Sequence, residues 1–235
     1  MITVDFSKIR MDLDVSVLDI GCGSGRHTAA ALDRNAGLVV GADANSGDLK
    51  DAHARLCLHE SMGRRGRWAL TCADITHLPF PDEHFDVVIC SEVLEHIHED
   101  RRAMRETVRV LKKGGLLAAS VPRRWPEKIC WMLSREYHRS EGGHIRIYDR
   151  RGLVQRIQSC GVIHTHTHYA HSLHAPFWWL KCLLGPSRNR LWPVKLYHRF
   201  LTWDMMKRPT LTRSLDHWLN PVLGKSLVLY FQRPL

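Results

Sequence analysis

Short apolar runs alternate along the chain with segments in which apolar residues recur every three to four positions. The runs have the length of buried strands, and the periodic segments are typical of amphipathic helices. Their alternation predicts βαβ units around a mostly parallel sheet with helices on both faces. The predicted strands are Val15–Ile20, Gly37–Asp43, Arg67–Ala73, Phe85–Cys90, Gly115–Val121, Val162–His168 and Ser226–Gln232. The predicted helices are Gly25–Asn35, Ser46–Glu60, Asp100–Leu111 and Asp149–Ser159.

The spacing of these elements divides the chain into three parts. The last two predicted strands are separated by a long segment, which predicts a core (1–169), a helical insert (170–225) and a final strand that returns to the core (226–235). With 235 residues, of which 44% are hydrophobic, the chain can form one sizeable core but hardly two. An antiparallel final pair of strands would place the insert at one edge of the sheet.

The cysteine content and the absence of long apolar runs indicate the cellular compartment. The seven cysteines are scattered and never form a C-x-x-C pair, which disfavours a disulfide framework or a zinc knuckle and suits a reducing cytoplasm. The first thirteen residues lack the apolar stretch of a signal peptide, and no later run reaches the length of a membrane span. We therefore expect a cytoplasmic protein that is soluble or peripheral at the membrane.

The insert has its own chemistry. It contains five of the eight tryptophans and only two acids, Asp204 and Asp216, against nine basic residues: Lys181, Arg188, Arg190, Lys195, Arg199, Lys207, Arg208, Arg213 and Lys225. Tryptophan beside Lys and Arg describes a surface that contacts anionic lipid headgroups. The basic charge also keeps RNA open as a partner. Trp178 and Trp179 can equally be ordinary helix packing.

A glycine-rich turn follows the first predicted strand. In Asp19-Ile20-Gly21-Cys22-Gly23-Ser24-Gly25 the glycines permit positive φ angles and let a ligand approach the backbone. The G-x-G-x-G spacing differs from the G-x-G-x-x-G of dinucleotide sites. Asp19 suits an ammonium group better than a pyrophosphate. The turn therefore favours a cationic ligand over NAD.

Two further acids end the next strands. Asp43 closes the second strand, where a carboxylate can accept hydrogen bonds from two ribose hydroxyls, although it can also be the N-cap of the following helix. Asp74 follows the third strand, where it can accept from an adenine amino group, although a lone acid there is more often a cap or turn residue. Three acids in register at strand ends favour one shared ligand.

These motifs resemble the class I S-adenosylmethionine (SAM)-dependent methyltransferases. The matching pieces are V-L-D-I-G-C-G-S-G-R, V-G-A-D-A-N, C-A-D-I-T-H-L-P-F-P-D-E-H-F-D-V-V-I-C-S-E-V-L-E-H-I and L-K-K-G-G-L-L-A-A-S-V-P, over roughly residues 15 to 121. The resemblance implies a Rossmann-like seven-stranded sheet with SAM as cofactor. The cofactor-binding residues it implies are Asp19, Gly21, Cys22, Gly23 and Gly25 at the methionine end, Asp43 and Ala44 at the ribose, Asp74 and Ile75 at the adenine, and Ser91 and Glu92 lining the methionine side.

The chemistry that such a cofactor brings sets the search for catalytic residues. The sulfonium is already an activated methyl donor, so the enzyme must mainly align a nucleophile and exclude water. A base helps when the acceptor is a hydroxyl or an acid, and the candidates are Glu92, His96 and His144. Each also has a plain structural interpretation, as a cap, a packing residue or part of a Gly-Gly-His turn.

Two runs have the spacing of metal ligands. Glu92, Glu95 and His96 form the E-x-x-E-H pattern by which some members of the family are thought to hold a divalent ion, although L-E-H occurs here in metal-free relatives. The run from His164 to His168 places alternate histidines on one face of a strand, as an exposed edge also does. No metal is expected, because no further ligand is clearly placed by sequence.

Several functions remain to be weighed. The fourth strand ends in Cys90-Ser91-Glu92, without the N-P-P-Y type of motif of enzymes that methylate exocyclic base amines, and no Pro-Cys pair is present for attack on cytosine. We therefore expect a methyltransferase acting on a small-molecule or lipid-like acceptor, and peripheral contact with anionic membrane goes with the second type of acceptor. The alternatives are a SAM-binding scaffold without turnover, an RNA 2′-O-methyltransferase and a dinucleotide-dependent oxidoreductase.

Overall fold

The computed structural model describes residues 1–63, 66–134, 143–184, 191–207 and 209–235. Its seven strands, as predicted in number and order, are β1 (Ser16–Ile20), β2 (Leu38–Asp43), β3 (Arg67–Cys72), β4 (Phe85–Ser91), β5 (Leu111–Pro122), β6 (Ile163–Ala170) and β7 (Ser226–Gln232). The α-helices within the described residues are α1 (Arg26–Leu32), α2 (Ser46–Ser61), α3 (Asp100–Arg109), α4 (Arg124–Leu133), α5 (Arg150–Gln158), α6 (Ala175–Leu184), α7 (Trp192–Lys207) and α8 (Thr210–Leu223).

The strands form one sheet in the order β3-β2-β1-β4-β5-β7-β6. The first five pair in parallel, and β7 lies antiparallel between β5 and β6. Pro122 at the end of β5 pairs with Ser226, which in turn pairs with Ala170 at the end of β6. Both ends of the insert therefore leave the sheet at the edge where the parallel strands have their carboxyl ends.

Both faces of the sheet are covered, which explains why the central strands are apolar throughout. Leu18 and Ile20 belong to a core that includes residues of α3 and α5, whereas Val17 belongs to a core on the other face with residues of α1, α2 and the N-terminal segment. The predicted Rossmann-like α/β fold, with helices on both faces and a helical insert before the last strand, is confirmed.

Two features differ from the sequence pattern. The predicted helix to Leu111 ends at Arg109, because Leu111 already pairs with Phe85 as the first residue of β5. The pairing is irregular between Phe85 and Val87, so this early part of β5 does not continue the regular ladder. The short helix α4 carries no prediction of its own, although it follows directly from β5 at the carboxyl edge.

The insert contains three described helices, α6, α7 and α8. Three of its nine basic residues, Arg188, Arg190 and Arg208, lie outside the described residues. Among the residues that the structure describes, no helix combines the length and the apolarity needed to cross a membrane.

Candidate functional site

The loop between β1 and α1 is built on three left-handed glycines, with φ of 65° at Gly21, 50° at Gly23 and 72° at Gly25. A Cβ at Gly21 would overlap the Val93 side chain, and one at Gly25 would come within 3.1 Å of the Ala52 Cβ. At Gly23, by contrast, a Cβ would meet nothing within 4 Å. The loop is therefore packed at both ends and open in the middle, where a ligand can reach the backbone.

Asp43 ties the end of β2 to this loop. Its carboxylate accepts hydrogen bonds from the Gly23 N–H and the Asn45 N–H, both at 2.8 Å. The N-cap of α2 is Asn45, whose side chain accepts from the Gly47 and Asp48 backbone N–H groups. The N-cap interpretation of Asp43 is therefore wrong, and this carboxylate stands beside the open part of the glycine loop.

Asp19 lies beneath the loop. It is 1% exposed, and its Oδ2 accepts a hydrogen bond from the Thr28 hydroxyl of α1 at 2.7 Å. Burial raises the pKa of this carboxyl to about 7. A cation brought close to it would favour the ionised form, so the charge of Asp19 depends on what occupies the loop above.

Asp74 follows β3 at the same edge of the sheet. Its Oδ1 accepts from the Thr76 backbone N–H at 2.8 Å, and hydrogen bonding by Thr76 lowers the pKa of this exposed carboxyl. Asp74 is thus a turn residue, which is one of the two interpretations that the sequence allowed. The neighbouring Ile75 is buried in the core, whereas Ala44, next to Asp43, is exposed.

The end of β4 holds a strained residue. Glu92 has a φ of 57°, which is rare outside glycine. Its backbone N–H donates to the Ser120 carbonyl at 2.9 Å, and its Oε1 accepts from the Ser120 hydroxyl at 3.3 Å. The Ser91 and Ser120 hydroxyls are 2.8 Å apart. Such a conformation costs on the order of 1–3 kcal/mol and is found preferentially at functional sites.

The two histidines chosen from sequence meet in space. The rings of His96, after β4, and His144 have centroids 5.0 Å apart. The His96 Nδ1–H donates to the Gly143 carbonyl at 3.2 Å, and the Ile145 N–H donates to the Glu95 carbonyl at 3.0 Å. Because a carbonyl can only accept, a neutral His96 carries its proton on Nδ1 and its lone pair on Nε2.

Glu127 belongs to this group, and the sequence interpretation missed it. It is 1% exposed, its Oε1 lies 2.6 Å from the His144 Nδ1, and it accepts from the Trp131 indole N–H at 3.2 Å. Glu127 is on α4, where Pro126 and the acid itself, both in the first turn, are the start signals that the sequence offers. A buried carboxylate in hydrogen-bond contact with an imidazole fixes the orientation of the ring.

Asp100 anchors the segment that carries His144. Its carboxylate accepts from the Tyr148 hydroxyl at 2.8 Å and pairs with Arg146 at 2.5 Å and Arg156 at 3.0 Å. Burial would raise the pKa of Asp100, but the bonds from Arg146 and Tyr148 outweigh it and hold the pKa below its ordinary value. The ion pairs therefore fasten the segment to the start of α3.

Glu95 is the most unusual group in this cluster. It is fully buried, neither carboxyl oxygen has a hydrogen-bond partner among the described residues, and burial raises its pKa well above the ordinary value. Ligand atoms of Glu95, His96 and His144 lie within 4.8 Å of one another, so these residues could hold a divalent ion. Glu92, the first residue of the E-x-x-E-H run, is outside that group.

The histidine run of β6 is different. The pairing of β6 with β7 is irregular between His164 and His166, which breaks the simple alternation of faces. His164 contacts the Thr167 hydroxyl at 2.8 Å, and His168 stacks on Tyr230. Within the described ranges these histidines do not form a group with metal-ligand spacing. The strand-edge interpretation fits them better.

The insert reaches this site through α6. The Trp179 indole N–H donates to the Pro126 carbonyl at 3.1 Å, and its ring lies 5.5 Å from that of Trp125. These contacts join α6 to α4, the helix of Glu127. On another side, α6 shares a small apolar core with α7 through Phe177 and Leu201. Trp179 is therefore a packing residue, and the insert lies next to the histidine cluster.

Sequence comparison assigns most of the first half of the chain to a known family of domains. Residues 18–119, from β1 to near the end of β5, match the model of the methyltransferase domain family. The match covers less than half of the chain and shows a methyltransferase domain in these residues, and the seven-stranded fold and the glycine loop agree with one that uses SAM as its cofactor. The open backbone at Gly23 fits that cofactor, because it leaves the space that a ligand needs.

The relatives are named as methyltransferases. The chain is 37% identical over 110 residues to methyltransferase GfsG of Streptomyces halstedii, which is 45% of this chain and 38% of that protein. It is 41% identical over 117 residues to the ubiquinone/menaquinone biosynthesis C-methyltransferase UbiE of Ectopseudomonas mendocina, covering 49% of this chain and 44% of that one. The similarity thus spans less than half the length of these relatives.

Solved structures support the fold over nearly the whole chain. A SAM-dependent methyltransferase from Methanosarcina mazei superposes with a TM-score of 0.64 at 16% identity, covering 99% of this chain and 98% of that chain. The [4+2]-cyclase SpnF superposes with a TM-score of 0.62 at 21% identity, covering 95% and 77%. At such identities the likeness is one of fold.

Proposed function

We propose that this protein transfers a methyl group from SAM to a small, lipid-like acceptor at the carboxyl edge of its sheet. One observation carries the proposal: an open glycine loop flanked by Asp43 lies at the same edge as the half-buried imidazoles of His96 and His144 and the buried carboxyls beside them. Ligands of open α/β sheets bind at this edge. The first feature suits the cofactor and the second suits the acceptor.

On the cofactor side, SAM supplies an activated methyl group. Gly21, Gly23 and Gly25 shape the loop that receives its methionine end, and Asp19 below the loop is the counter-charge for its ammonium group. The Asp43 carboxylate accepts from the ribose hydroxyls, and Asp74 accepts from the adenine amino group. The remaining residues proposed to line the cofactor are Cys22, Ala44, Ile75, Ser91 and Glu92.

On the acceptor side, His144 and His96 are the proposed bases, with Glu92 as a third candidate. The 2.6 Å contact with Glu127 supports His144, because an imidazole whose Nδ1–H donates a hydrogen bond to a carboxylate has its Nε2 as the proton-accepting nitrogen. The carbonyl of Gly143 orients His96 in the same way. These residues would hold a hydroxyl or an acidic carbon of the acceptor in line with the methyl group and remove its proton.

The class of acceptor follows from the relatives and from the insert. The name of the UbiE relatives refers to ubiquinone and menaquinone biosynthesis, so a quinone-type lipid is the first acceptor to test. The insert, packed on α4 beside the histidine cluster, would cover such an acceptor. An amphiphilic acceptor also implies peripheral contact with an anionic membrane.

The test has two stages. Calorimetric titration of the protein with SAM, S-adenosylhomocysteine and NAD measures cofactor choice, and we expect the first two to bind. Incubation with SAM and a cellular lipid extract should then yield S-adenosylhomocysteine and an acceptor heavier by one methylene unit. Glu127→Gln tests the acceptor side, because it should lower turnover while SAM affinity stays unchanged.

SAM binding without turnover across lipid, metabolite and RNA extracts would contradict the proposal. It would favour the scaffold alternative, and the fold itself permits this, since one neighbour is described as a cyclase. Methylation of RNA alone would move the proposal to a different acceptor class.

A further inference from the structure

The solvent-facing side of α7 is apolar where a globular protein would normally be polar. Trp192, Leu196, Trp203 and Met206 are all exposed, and their spacing places them along one side of the helix. The other side of α7 is buried against the insert's own core, for example through Leu201. The exposed stripe is thus additional to the packing that holds α7 in place.

The next helix repeats the feature. On α8, Leu211, Leu215, Trp218 and Val222 are exposed at steps of four, three and four residues. Exposure reaches 74% at Trp192 on α7 and 81% at Trp218. Isolated apolar residues on a surface need no explanation, but two successive helices with apolar stripes mark an interaction surface.

The charge of α7 distinguishes two candidate partners, a second copy of the chain and an anionic surface. Every exposed charged residue of α7 is basic, namely Lys195, Arg199 and Lys207. Its one acid, Asp204, is buried and accepts from the Thr212 hydroxyl. A second copy of the chain would set these three cations against the same three, because a two-fold interface pairs identical surfaces. An anionic surface would neutralise them.

We propose that this face of α7, made of Trp192, Leu196, Trp203, Met206, Lys195, Arg199 and Lys207 and here called the docking face, binds an anionic lipid bilayer. Tryptophan rings settle at the boundary between headgroups and acyl chains, and Lys and Arg bind the anionic headgroups. This inference rests on the proposed function, because a lipid-like acceptor would be found in a membrane. Binding of the docking face to a bilayer can nevertheless be measured without acceptor or cofactor.

Vesicle co-sedimentation tests the docking face directly. The full chain is mixed with vesicles of phosphatidylcholine alone or of phosphatidylcholine with phosphatidylglycerol, at low and at physiological salt. We expect binding to the anionic vesicles that weakens as salt rises. Each basic residue near an anionic surface is worth about 1 kcal/mol, or roughly fivefold, so K195Q/R199Q/K207Q should weaken binding by about 100-fold.

A charge-matched control distinguishes docking from general attraction of a basic protein. Arg101, Arg105 and Arg151 are exposed on α3 and α5, and the first two line a groove without the apolar stripe. Their joint replacement by glutamine removes the same charge and should change binding only slightly. Trp192→Ala with Met206→Ser leaves the charge intact and should weaken binding to anionic vesicles by roughly tenfold.

Three outcomes would overturn the inference. They are absence of binding to anionic vesicles at low salt, equal loss in the two triple variants, and a dimer in sedimentation velocity that Trp192→Ala with Met206→Ser dissociates. Thermal unfolding of each variant reports whether the core is folded. Vesicle binding without methyl transfer supports the docking face and contradicts only the proposed function. Methyl transfer without vesicle binding supports the proposed function and contradicts the docking face.

Discussion

The two glycines Gly21 and Gly23 offer a matched pair of substitutions that separates folding from cofactor binding. Both have positive φ, at 65° and 50°, so alanine at either position has to adopt a left-handed conformation. They differ in surroundings, because an added Cβ overlaps Val93 at Gly21 and meets only open space at Gly23. We predict that Gly21→Ala mainly lowers stability and that Gly23→Ala mainly lowers SAM affinity.

The magnitudes follow from these two terms. A left-handed alanine costs about 1–2 kcal/mol, which should lower the Tm of Gly23→Ala by about 2–8 °C for a chain of this size. Gly21→Ala adds an overpacking cost of about 1–3 kcal/mol against Val93, so its free energy of unfolding should fall by about 2–5 kcal/mol. If SAM fills the space at Gly23, a methyl group there displaces it, and we expect at least a roughly tenfold loss of affinity, or about 1.4 kcal/mol.

Thermal unfolding with and without SAM measures both quantities on the same samples. Wild-type Tm should rise with SAM by mass action, Gly23→Ala should lose most of that rise, and Gly21→Ala should start from a much lower Tm. Calorimetric titration gives the affinities independently. Wild-type SAM affinity in Gly23→Ala would refute the reasoning, because it would mean that the open side of the loop is not where the cofactor lies.

Three further predictions can be checked with the same protein. Asp43→Ala should weaken SAM binding by about 1.5–3 kcal/mol, or roughly tenfold to 150-fold, by calorimetric titration, and unchanged affinity would rule out its ribose role. Turnover should survive dialysis against a strong chelator, since the sulfonium is already activated; a loss that manganese or magnesium restores would instead assign Glu95, His96 and His144 as ligands. Finally, burial lowers the pKa of His27 and His174 from 6.5 to about 4, so the unfolded chain takes up more protons than the folded one in this range. Stability should therefore fall as the pH drops from 6.5 towards 4, and His27→Gln should reduce the fall in Tm over that range, whereas an equal fall in both proteins would refute this assignment.

The positions of the proposed cofactor residues could be predicted from sequence because these residues follow strand ends. Once β1, β2 and β3 are recognised as parallel neighbours, Asp19, Asp43 and Asp74 have to lie along one edge of the sheet. The glycine spacing likewise predicts a loop with left-handed residues. The hydrophobic periodicity is visible within short stretches of sequence, and here it is enough to place these acids and the loop at one edge of the sheet.

The proposed acceptor side depends on contacts between residues that are distant in sequence, which no local sequence pattern encodes. Glu127 lies on α4, a short helix directly after a strand, and its partner His144 is 17 residues away along the chain. The strain at Glu92 is equally invisible, because nothing in the letters around it distinguishes a left-handed glutamate from an extended one. Sequence named His96 and His144 separately, but only the fold shows that their rings meet.

Because β7 pairs with β6, the two ends of the insert lie next to each other. Ala170 and Ser226 are paired residues of neighbouring antiparallel strands, so a tight hairpin turn could join them without moving any strand of the sheet. The glycine loop and the strand-end acids lie on the other half of the sheet, with β4 and β5 between. The segment between the last two strands could therefore be exchanged as a unit: a related chain could keep the glycine loop and the strand-end acids and replace the part that we propose to contact the membrane and the acceptor.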